Sequence, residues 1–251
     1  MITDPIFYLY AIPAVLLFVL SKGGFGGGVS VLSVPLMAMT TDPVTAAAIL
    51  LPLLVAMDLV AMWSFRGQYS TLNLKILLPG AILGVGIGSF TFHYLSEPAI
   101  RIMIGLMAVG FCANYYIQRG PSKKTQPNRL KGSFWGMLAG FTSFGIHAGA
   151  PPVNIYLLPL QLEKKQLMGT MALFFACVNF VKLVPYSLLG EFDQQNLLTS
   201  LVLLPLAPIG VRLGYFLLHK VDQKLVYRLC YFFLAIAGAK LLFEGISDLL
   251  Q

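Results

Sequence analysis

Long runs of apolar residues constrain this chain more than any other feature. A helix needs about 20 apolar residues to cross the hydrocarbon core of a bilayer. Six stretches reach roughly that length, at 44–65, 74–93, 99–118, 166–189, 197–219 and 225–243. Only 11% of the 251 residues are charged, whereas a soluble domain carries about 25%. So few charges cannot cover a water-facing surface, and we expect an all-α integral membrane protein.

Two further apolar regions, 5–39 and 131–160, are interrupted by small residues. The first break contains five glycines, Gly23, Gly24, Gly26, Gly27 and Gly28. The second break has the sequence Gly145-Ile146-His147-Ala148-Gly149-Ala150-Pro151-Pro152. The apolar segments 6–20 and 29–39 on either side of the first break are each too short to cross at about 1.5 Å per residue. We interpret each broken region as a re-entrant or broken helical hairpin.

The two halves of the chain repeat one another. At an offset of 121 residues the two breaks coincide, and Asp58 aligns with Asn179. At an offset of 126, residues 77–93 align with 203–219 and nine of 17 positions are identical. The change of offset falls near the loop 190–196, where an insertion costs little free energy. The expected organisation is repeat 1 (1–118), a basic linker (119–131) and repeat 2 (132–251).

The loop cations distinguish two arrangements of these segments, since Lys and Arg in short loops mark the cytoplasmic face. If each broken region crosses the membrane once, the loop cations divide seven to six between the faces. If each is a hairpin that enters and leaves on one side, Arg101 is alone on one face and the other 12 share the opposite face. The second arrangement predicts two inverted repeats, each a hairpin plus three transmembrane helices, with eight hydrophobic segments in all. The linker would then be cytoplasmic and both termini would lie outside the cytoplasm.

Several functional classes are disfavoured by what the sequence lacks. The three cysteines are isolated in apolar runs, and the three histidines have no metal-ligand spacing, so we expect no metal and no cofactor. The net charge of +7 is not gathered on a soluble basic segment, which disfavours nucleic acid as a partner. The sequence has no motif that pairs a nucleophile with a base, and it has no ATP-binding P-loop. An enzyme and a passive membrane scaffold are therefore the weaker alternatives, and a removable signal peptide is not expected because a basic n-region is missing.

The first glycine-rich break continues into Ser30-Val31-Leu32-Ser33-Val34-Pro35. This motif, its degenerate second copy and the four-plus-four segment pattern resemble the TauE/SafE family of sulfite exporters, in the 4-toluene sulfonate uptake permease group. The resemblance implies a secondary transporter in the bacterial inner membrane, surrounded by lipid, that works by alternating access. Its implied substrate is a small sulfur-containing anion such as sulfite, a sulfonate like sulfoacetate, or thiosulfate. Transport could be coupled to protons. The alternative to a transporter is an anion channel with the same site.

The two breaks are the first candidates for an anion site. An oxyanion leaving water needs fixed donors, and the free N–H groups at a helix N-terminus provide them. The five glycines of the first break would let an anion approach the helix that begins near Val29, with Ser30 and Ser33 as hydroxyl donors. The second half of this cradle would comprise Gly145, Gly149, Asn154 and Asn179. Close helix packing is the alternative for the glycines, although five glycines in six positions exceed what packing at a single face requires, and hydrogen bonds between helices explain the amides equally well.

Ionisable residues inside the apolar regions are the second set of candidates, because each is costly in a membrane and marks function by default. Lys22 adjoins the glycine break and is expected to attract the anion directly. Arg212 is expected to form a forked contact with sulfite or sulfonate oxygens, to pair with a buried carboxylate, or to extend to the membrane interface. His147 can bind the anion as imidazolium, carry a coupled proton, or simply pack. Asp58 is either a proton carrier or a fixed counter-ion to Lys182 or another cation.

Overall fold

The structure, a computed structural model, describes residues 1–22, 29–117, 124–208 and 223–250. Within these ranges every regular element is helical and there is no strand. The helices are α1 (Pro5–Lys22), α2 (Ser33–Met37), α3 (Pro43–Ser64), α4 (Thr71–Tyr94), α5 (Glu97–Ile117), α6 (Arg129–Ile146), α7 (Ala150–Leu157), α8 (Lys164–Leu188), α9 (Gln194–Leu203) and α10 (Gln223–Leu249). Single 3₁₀ turns at Ser30–Leu32 and Leu158–Leu160 adjoin α2 and α7.

Five helices in the described ranges are long and apolar enough to cross a membrane. They are α3, α4, α5, α8 and the segment Arg228–Leu249 of α10. These helices coincide with five of the six stretches predicted to span the bilayer. The sixth stretch, 197–219, starts within α9, and its second part lies outside the described residues. The expectation of an all-α membrane protein is confirmed.

Polar side chains at the loop boundaries set where several of these helices begin. The Asp42 carboxylate accepts from the amides of Val44 and Thr45, at 3.1 and 2.8 Å, and Pro43 begins α3. Asn128 and Asp193 cap α6 and α9 in the same way. Such caps satisfy N–H groups that have no partner within the helix. The apolar runs are therefore helical from a defined residue onward.

The chain reverses direction after α6. His147, with φ 53° in the left-handed region, caps α6, and α7 begins three residues later. The amide of Thr125, which precedes α6, donates to the carbonyl of Pro159, which follows α7, at 2.9 Å. In the first half, the Ser33 hydroxyl on α2 donates to the Ala14 carbonyl in the middle of α1, at 2.8 Å. Each short helix therefore folds back along the longer helix that precedes it.

Helix α6 is held against α4 by direct backbone contact. Gly136 and Gly140 of α6 lie on the backbones of Leu77 and Ala81, and a Cβ at either glycine would collide with those carbonyl groups. Small residues at a helix interface allow this close approach in membranes, where packing replaces hydrophobic burial as the attractive force. The contact fixes the height of α6 in the bundle and, with it, the position of His147.

The two ends of the bundle carry opposite charge. At one end the Ser70 amide donates to the Thr170 hydroxyl at 2.9 Å, which brings the α3–α4 loop beside the start of α8. The basic side chains at this end are Arg66, Lys75, Lys124, Arg129, Lys131, Lys164 and Lys165. At the other end the carboxylate of Glu191 lies near those of Asp42 and Asp193. We call these the basic end and the acidic end.

Candidate functional site

A cavity of about 80 Å³ lies inside the helix bundle. The ends of α1 and α6 and the middle of α3 and α8 form most of its wall, which is largely apolar. Its polar lining residues are Ser21, Lys22, Ser30, Asp58, Ser143, His147 and Asn179. Toward the basic end the wall continues to Phe65 and Met168. A small apolar chamber with a few converging polar groups is the usual form of a binding site for a small molecule.

An ion pair between Lys22 and Asp58 occupies one side of this cavity. The ammonium group of Lys22, at the end of α1, pairs with Oδ1 of Asp58 on α3. The other carboxylate oxygen accepts a hydrogen bond from Nδ2 of Asn179 on α8, at 2.6 Å. The Asp58 side chain is 1% exposed, whereas that of Lys22 is 22% exposed. Asp58 therefore has a cationic partner, and that partner is Lys22 rather than Lys182.

Asp58 and Asn179 are also the pair of positions that the repeat alignment makes equivalent, 121 residues apart. The hydrogen bond between them joins α3 to α8. The cavity lies directly beside this contact, since both residues line it.

A second cationic group lies behind the cavity wall. Lys182 of α8 is fully buried. Its ammonium nitrogen is 2.8 Å from the Ser143 carbonyl, 3.2 Å from the Ser143 hydroxyl and 2.6 Å from Nδ1 of His147. The other ring nitrogen of His147, Nε2, lies 2.8 Å from the Ala47 carbonyl on α3. Within the described ranges Lys182 forms no ion pair with a carboxylate.

The hydroxyl group of Ser21, a residue of the cavity wall, has no hydrogen-bond partner among the described residues. Ser21 is 2% exposed, and its Oγ makes no hydrogen bond to any described residue. A buried hydroxyl without a partner costs about 1 to 3 kcal/mol relative to one that is satisfied. Because Ser21 is adjacent to Lys22 and lines the same wall, a molecule in the cavity would satisfy it.

The structure gathers some of the predicted site residues around the cavity and leaves others away from it. Lys22, Ser30, Asp58, His147 and Asn179 line the cavity. The remaining described candidates, Ser33, Gly145, Gly149 and Asn154, do not line it.

Three of these four have evident positions in the packing. The Ser33 hydroxyl is used by the Ala14 carbonyl. Gly145 is still part of α6 and packs on Phe92, and Gly149 is the residue that precedes α7. The predicted residues Gly23, Gly24, Gly26, Gly27, Gly28 and Arg212 lie outside the described residues.

Two serines of the cavity wall are absent from the sequence-based prediction. Ser143 aligns with Lys22 at the offset of 121, and Ser21 aligns with Thr142. The repeat alignment therefore contained a signal for both positions. A serine in an apolar helix is common, however, and residue type alone does not separate a wall residue from one that bonds within its helix.

Lys240, another lysine of the apolar helices, lies away from this site. Its ammonium group is 3.4 Å from Glu244, which in turn accepts from Arg101 at 3.2 Å. These groups join α5 to α10 and do not line the cavity. Lys240 thus provides a comparison residue of the same type outside the site.

Comparison with known proteins gives a single family. The family model described as "Sulfite exporter TauE/SafE" matches residues 11–241. No curated protein and no solved structure matches the chain. The matched range includes every residue that lines the cavity.

Proposed function

The chain belongs to the TauE/SafE family of sulfite exporters, and on that premise we propose that it carries a small sulfur-containing oxyanion through the central cavity as a secondary transporter. Family membership indicates a membrane transporter for sulfur anions rather than an enzyme. Sulfite, a sulfonate such as sulfoacetate, and thiosulfate are the proposed substrates. All three present several acceptor oxygens on a compact anionic group.

The observation that carries this proposal is the buried Ser21 hydroxyl, which has no partner among the described residues and belongs to the cavity wall next to Lys22. A buried donor next to an ammonium group is the chemistry that an oxyanion requires in place of water. The Asn179 amide lies on the same wall, although Asp58 occupies one of its hydrogens. The apolar remainder of the wall suits a compact anion without hydrating water, because it strengthens each of these contacts.

We propose that the two repeats are inverted and that they rock about the cavity in alternating access. Three contacts support this arrangement. The equivalent residues Asp58 and Asn179 meet beside the cavity, and α5 and α10 pack antiparallel, with Gly105 near Gly238 and Gly245 near Pro98. Both hairpins end at the cavity wall.

In this proposal the basic end is cytoplasmic, as the positive-inside rule requires. The linker 119–131 would be cytoplasmic and both termini would lie on the other side of the inner membrane. The part of the cavity wall that reaches Phe65 and Met168 would then be directed toward the cytoplasm. Labelling of a cysteine introduced at Thr125 by an impermeant reagent from the periplasmic side would contradict this orientation.

Binding to the purified protein is the direct test of the substrate class. A ligand that binds only the folded state raises its melting temperature by mass action. We expect a shift with at least one of sulfite, thiosulfate and ethanesulfonate and none with acetate. The shift should disappear in Lys22→Gln and persist in the matched variant Lys240→Gln. A shift with acetate alone, or equal shifts in both lysine variants, would overturn the proposed site.

Counterflow in proteoliposomes separates a transporter from an anion channel with the same site. Unlabelled anion inside the vesicle should drive transient accumulation of labelled anion in a transporter, since the site must be occupied during the return step. A channel does not accumulate label in this way. Flux without counterflow would therefore retain the anion site and replace the alternating-access mechanism with a channel.

A further inference from the structure

The hydrogen bonds of Lys182 define where its protons can lie. An ammonium group has three N–H donors, and the Lys182 nitrogen has three neighbouring acceptors, namely the Ser143 carbonyl, the Ser143 hydroxyl and Nδ1 of His147. For Nδ1 to accept, the ring proton of His147 must be on Nε2, from which it donates to the Ala47 carbonyl at 2.8 Å. In this arrangement every donor has an acceptor.

A second arrangement of protons satisfies the same geometry. If one Nζ–H bond of Lys182 breaks and an Nδ1–H bond of His147 forms, the lysine becomes a neutral amine and the ring becomes imidazolium. The new Nδ1–H group donates to the amine over the same 2.6 Å, and Nε2–H still donates to Ala47. Both arrangements carry one positive charge, so a proton bound by this pair can lie on either Lys182 or His147.

Of the two residues of this pair, His147 lines the cavity and Lys182 does not. Lys182 is fully buried and does not line the cavity, whereas both of its partner residues, Ser143 and His147, do. A proton on Lys182 can therefore pass to the cavity through the imidazole ring. The ring is held for this role by the left-handed turn at His147 and by the Ala47 carbonyl.

The other charges around the cavity cancel, so a proton on this pair sets the net charge that an anion meets. Lys22 on α1 and Asp58 on α3 are the other charged groups that face the pair, and they form an ion pair with each other. On α8 itself the Tyr186 hydroxyl is occupied by the Phe144 carbonyl, at 2.7 Å. Among the described groups, a net positive charge beside the cavity therefore requires a proton on the Lys182–His147 pair.

Resting on the proposed function, we propose that the Lys182–His147 pair binds the proton that accompanies the anion through the transport cycle. A proton from water in the cavity joins His147 or Lys182 when the anion binds, and the anion and the proton leave together on the other side. The pair then returns neutral with the cavity empty. Binding of each partner strengthens binding of the other, as reciprocity between two coupled sites requires.

The first measurement is the pH dependence of anion affinity in the wild-type protein. Thiosulfate and ethanesulfonate serve as probes, because their own charge stays constant between about pH 5 and 9, where histidine-containing pairs titrate. We expect the apparent Kd of the bound probe to rise as the pH rises, by up to about tenfold per unit once the pair is neutral. In Lys182→Met this dependence should flatten to within about twofold over the same range.

The second measurement records protons directly, in proteoliposomes that contain a pH-sensitive dye. An inward gradient of the probe anion should acidify the lumen of wild-type vesicles. Lys182→Met should lose this acidification while anion-for-anion exchange continues at a reduced rate. The matched variant Lys240→Met should show both activities. His147→Asn is a second variant, since asparagine tolerates the left-handed backbone, and it too should lose acidification.

The outcomes separate the two proposals. Anion exchange without acidification in the wild type would overturn proton coupling through this pair and leave the proposed function intact. Wild-type proton movement in both Lys182→Met and His147→Asn would overturn the pair as the carrier. No binding and no exchange of any sulfur anion by the wild type would overturn the proposed function itself.

Discussion

Each repeat has one buried or half-buried lysine near the cavity, and the two lysines belong to different helices of their repeats. In repeat 1 the lysine belongs to the hairpin helix α1, and Lys22 reaches Asp58 on α3. In repeat 2 the lysine belongs to α8, and Lys182 reaches back to Ser143 on the hairpin helix α6. At the offset of 121, Lys22 aligns with Ser143 and Lys182 aligns with Ala61. The cation and its partner have therefore exchanged helices between the halves.

The environments of these two lysines differ more than their positions. Lys22 has a carboxylate partner and a side chain that is 22% exposed. Lys182 is fully buried, and its partners among the described residues are a carbonyl, a hydroxyl and an imidazole ring. A related backbone therefore supports unequal chemistry. In our proposal repeat 1 supplies the donors for the anion, and repeat 2 holds the proton.

The largest expected effect is the loss of stability when Lys22 is replaced by methionine. Lys22→Met leaves the Asp58 carboxylate buried without its cation, and we expect a loss of about 3 kcal/mol in the free energy of unfolding. That loss corresponds to a fall in melting temperature of roughly 6 to 12 °C for a chain of this size. Thermal unfolding in detergent without added anion measures it.

The same substitution at Lys182 should behave differently. Lys182→Met removes a buried charge that has no carboxylate to leave behind, and the Ser143 carbonyl keeps its bond from the His147 amide at 3.1 Å. We expect the free energy of unfolding to change by less than about 1 kcal/mol, or to rise. Equal destabilisation by the two variants would contradict the difference drawn between the half-sites.

Removing the carboxylate of repeat 1 should make anion binding tighter. Asp58→Asn retains a side chain of the same shape beside Asn179 and frees the Lys22 ammonium from its counter-ion. We expect the Kd for the bound sulfur anion to fall about tenfold, or about 1.4 kcal/mol. Isothermal titration of the purified variant measures this change, and a weaker affinity would assign Asp58 a direct role in holding the substrate.

The aligned hydroxyls Ser21 and Thr142 provide a smaller and sharper test. Thr142 is satisfied by the carbonyls of Leu138 and Ala148, at 2.9 and 3.0 Å, whereas Ser21 has no partner among the described residues. Ser21→Ala should therefore leave the free energy of unfolding unchanged or raise it, and it should weaken anion binding about fivefold, or about 1 kcal/mol. Thr142→Ala should instead lower stability by about 1 kcal/mol and leave the affinity close to that of the wild type.

The smallest effect concerns the loop of repeat 2 at the acidic end. Burial raises the pKa of the Glu191 carboxyl above its ordinary value of 4.5, and the carboxylates of Asp42, before α3, and Asp193, before α9, raise it further. The folded state thus favours protonated Glu191. The stability that protonated Glu191 contributes is fully present below the pKa of this carboxyl in the unfolded state. It is lost as the pH rises through the pKa in the folded state.

Glu191→Gln fixes a neutral side chain at this position. The variant should lose less stability than the wild type as the pH is raised from 4 to 7 in about unit steps, by less than about 1 kcal/mol because the group is partly solvated. Thermal unfolding across that range measures it. Asp248→Asn, at an exposed carboxylate, is the control. An identical pH profile for Glu191→Gln and the wild type would show that Glu191 does not contribute to the pH dependence of stability.

Much of the fold was accessible from sequence because helix length and apolarity are local properties. The stretch 74–93, for example, became α4 with its ends moved by one to three residues. The position of the second break was also local, although α6 continues through Gly145 to Ile146 before His147 ends it. The inverted arrangement of the repeats, inferred from the loop cations, stays a prediction.

The site was accessible only in part. Sequence singled out Lys22, Asp58, His147 and Asn179 as costly residues in an apolar setting, and all four line the cavity. It did not identify the partner of each, since Lys22 and Asp58 are 36 residues apart and Lys182 and His147 are 35 apart. Nor did it identify the Ser21 hydroxyl, because a missing hydrogen bond is a property of the packed structure.

The sequence by itself determined that the chain is a helical membrane protein with duplicated breaks and a few intramembrane charges, because hydrocarbon accepts only helices and penalises each charge within a single segment. The tertiary structure alone decided which charges neutralise each other. Electrostatic partnership depends on distances of a few ångströms between side chains on different helices. Those distances are set when α3 packs on α8 and α6 on α4, so that Lys22 meets Asp58 and Lys182 is left to share its proton with His147.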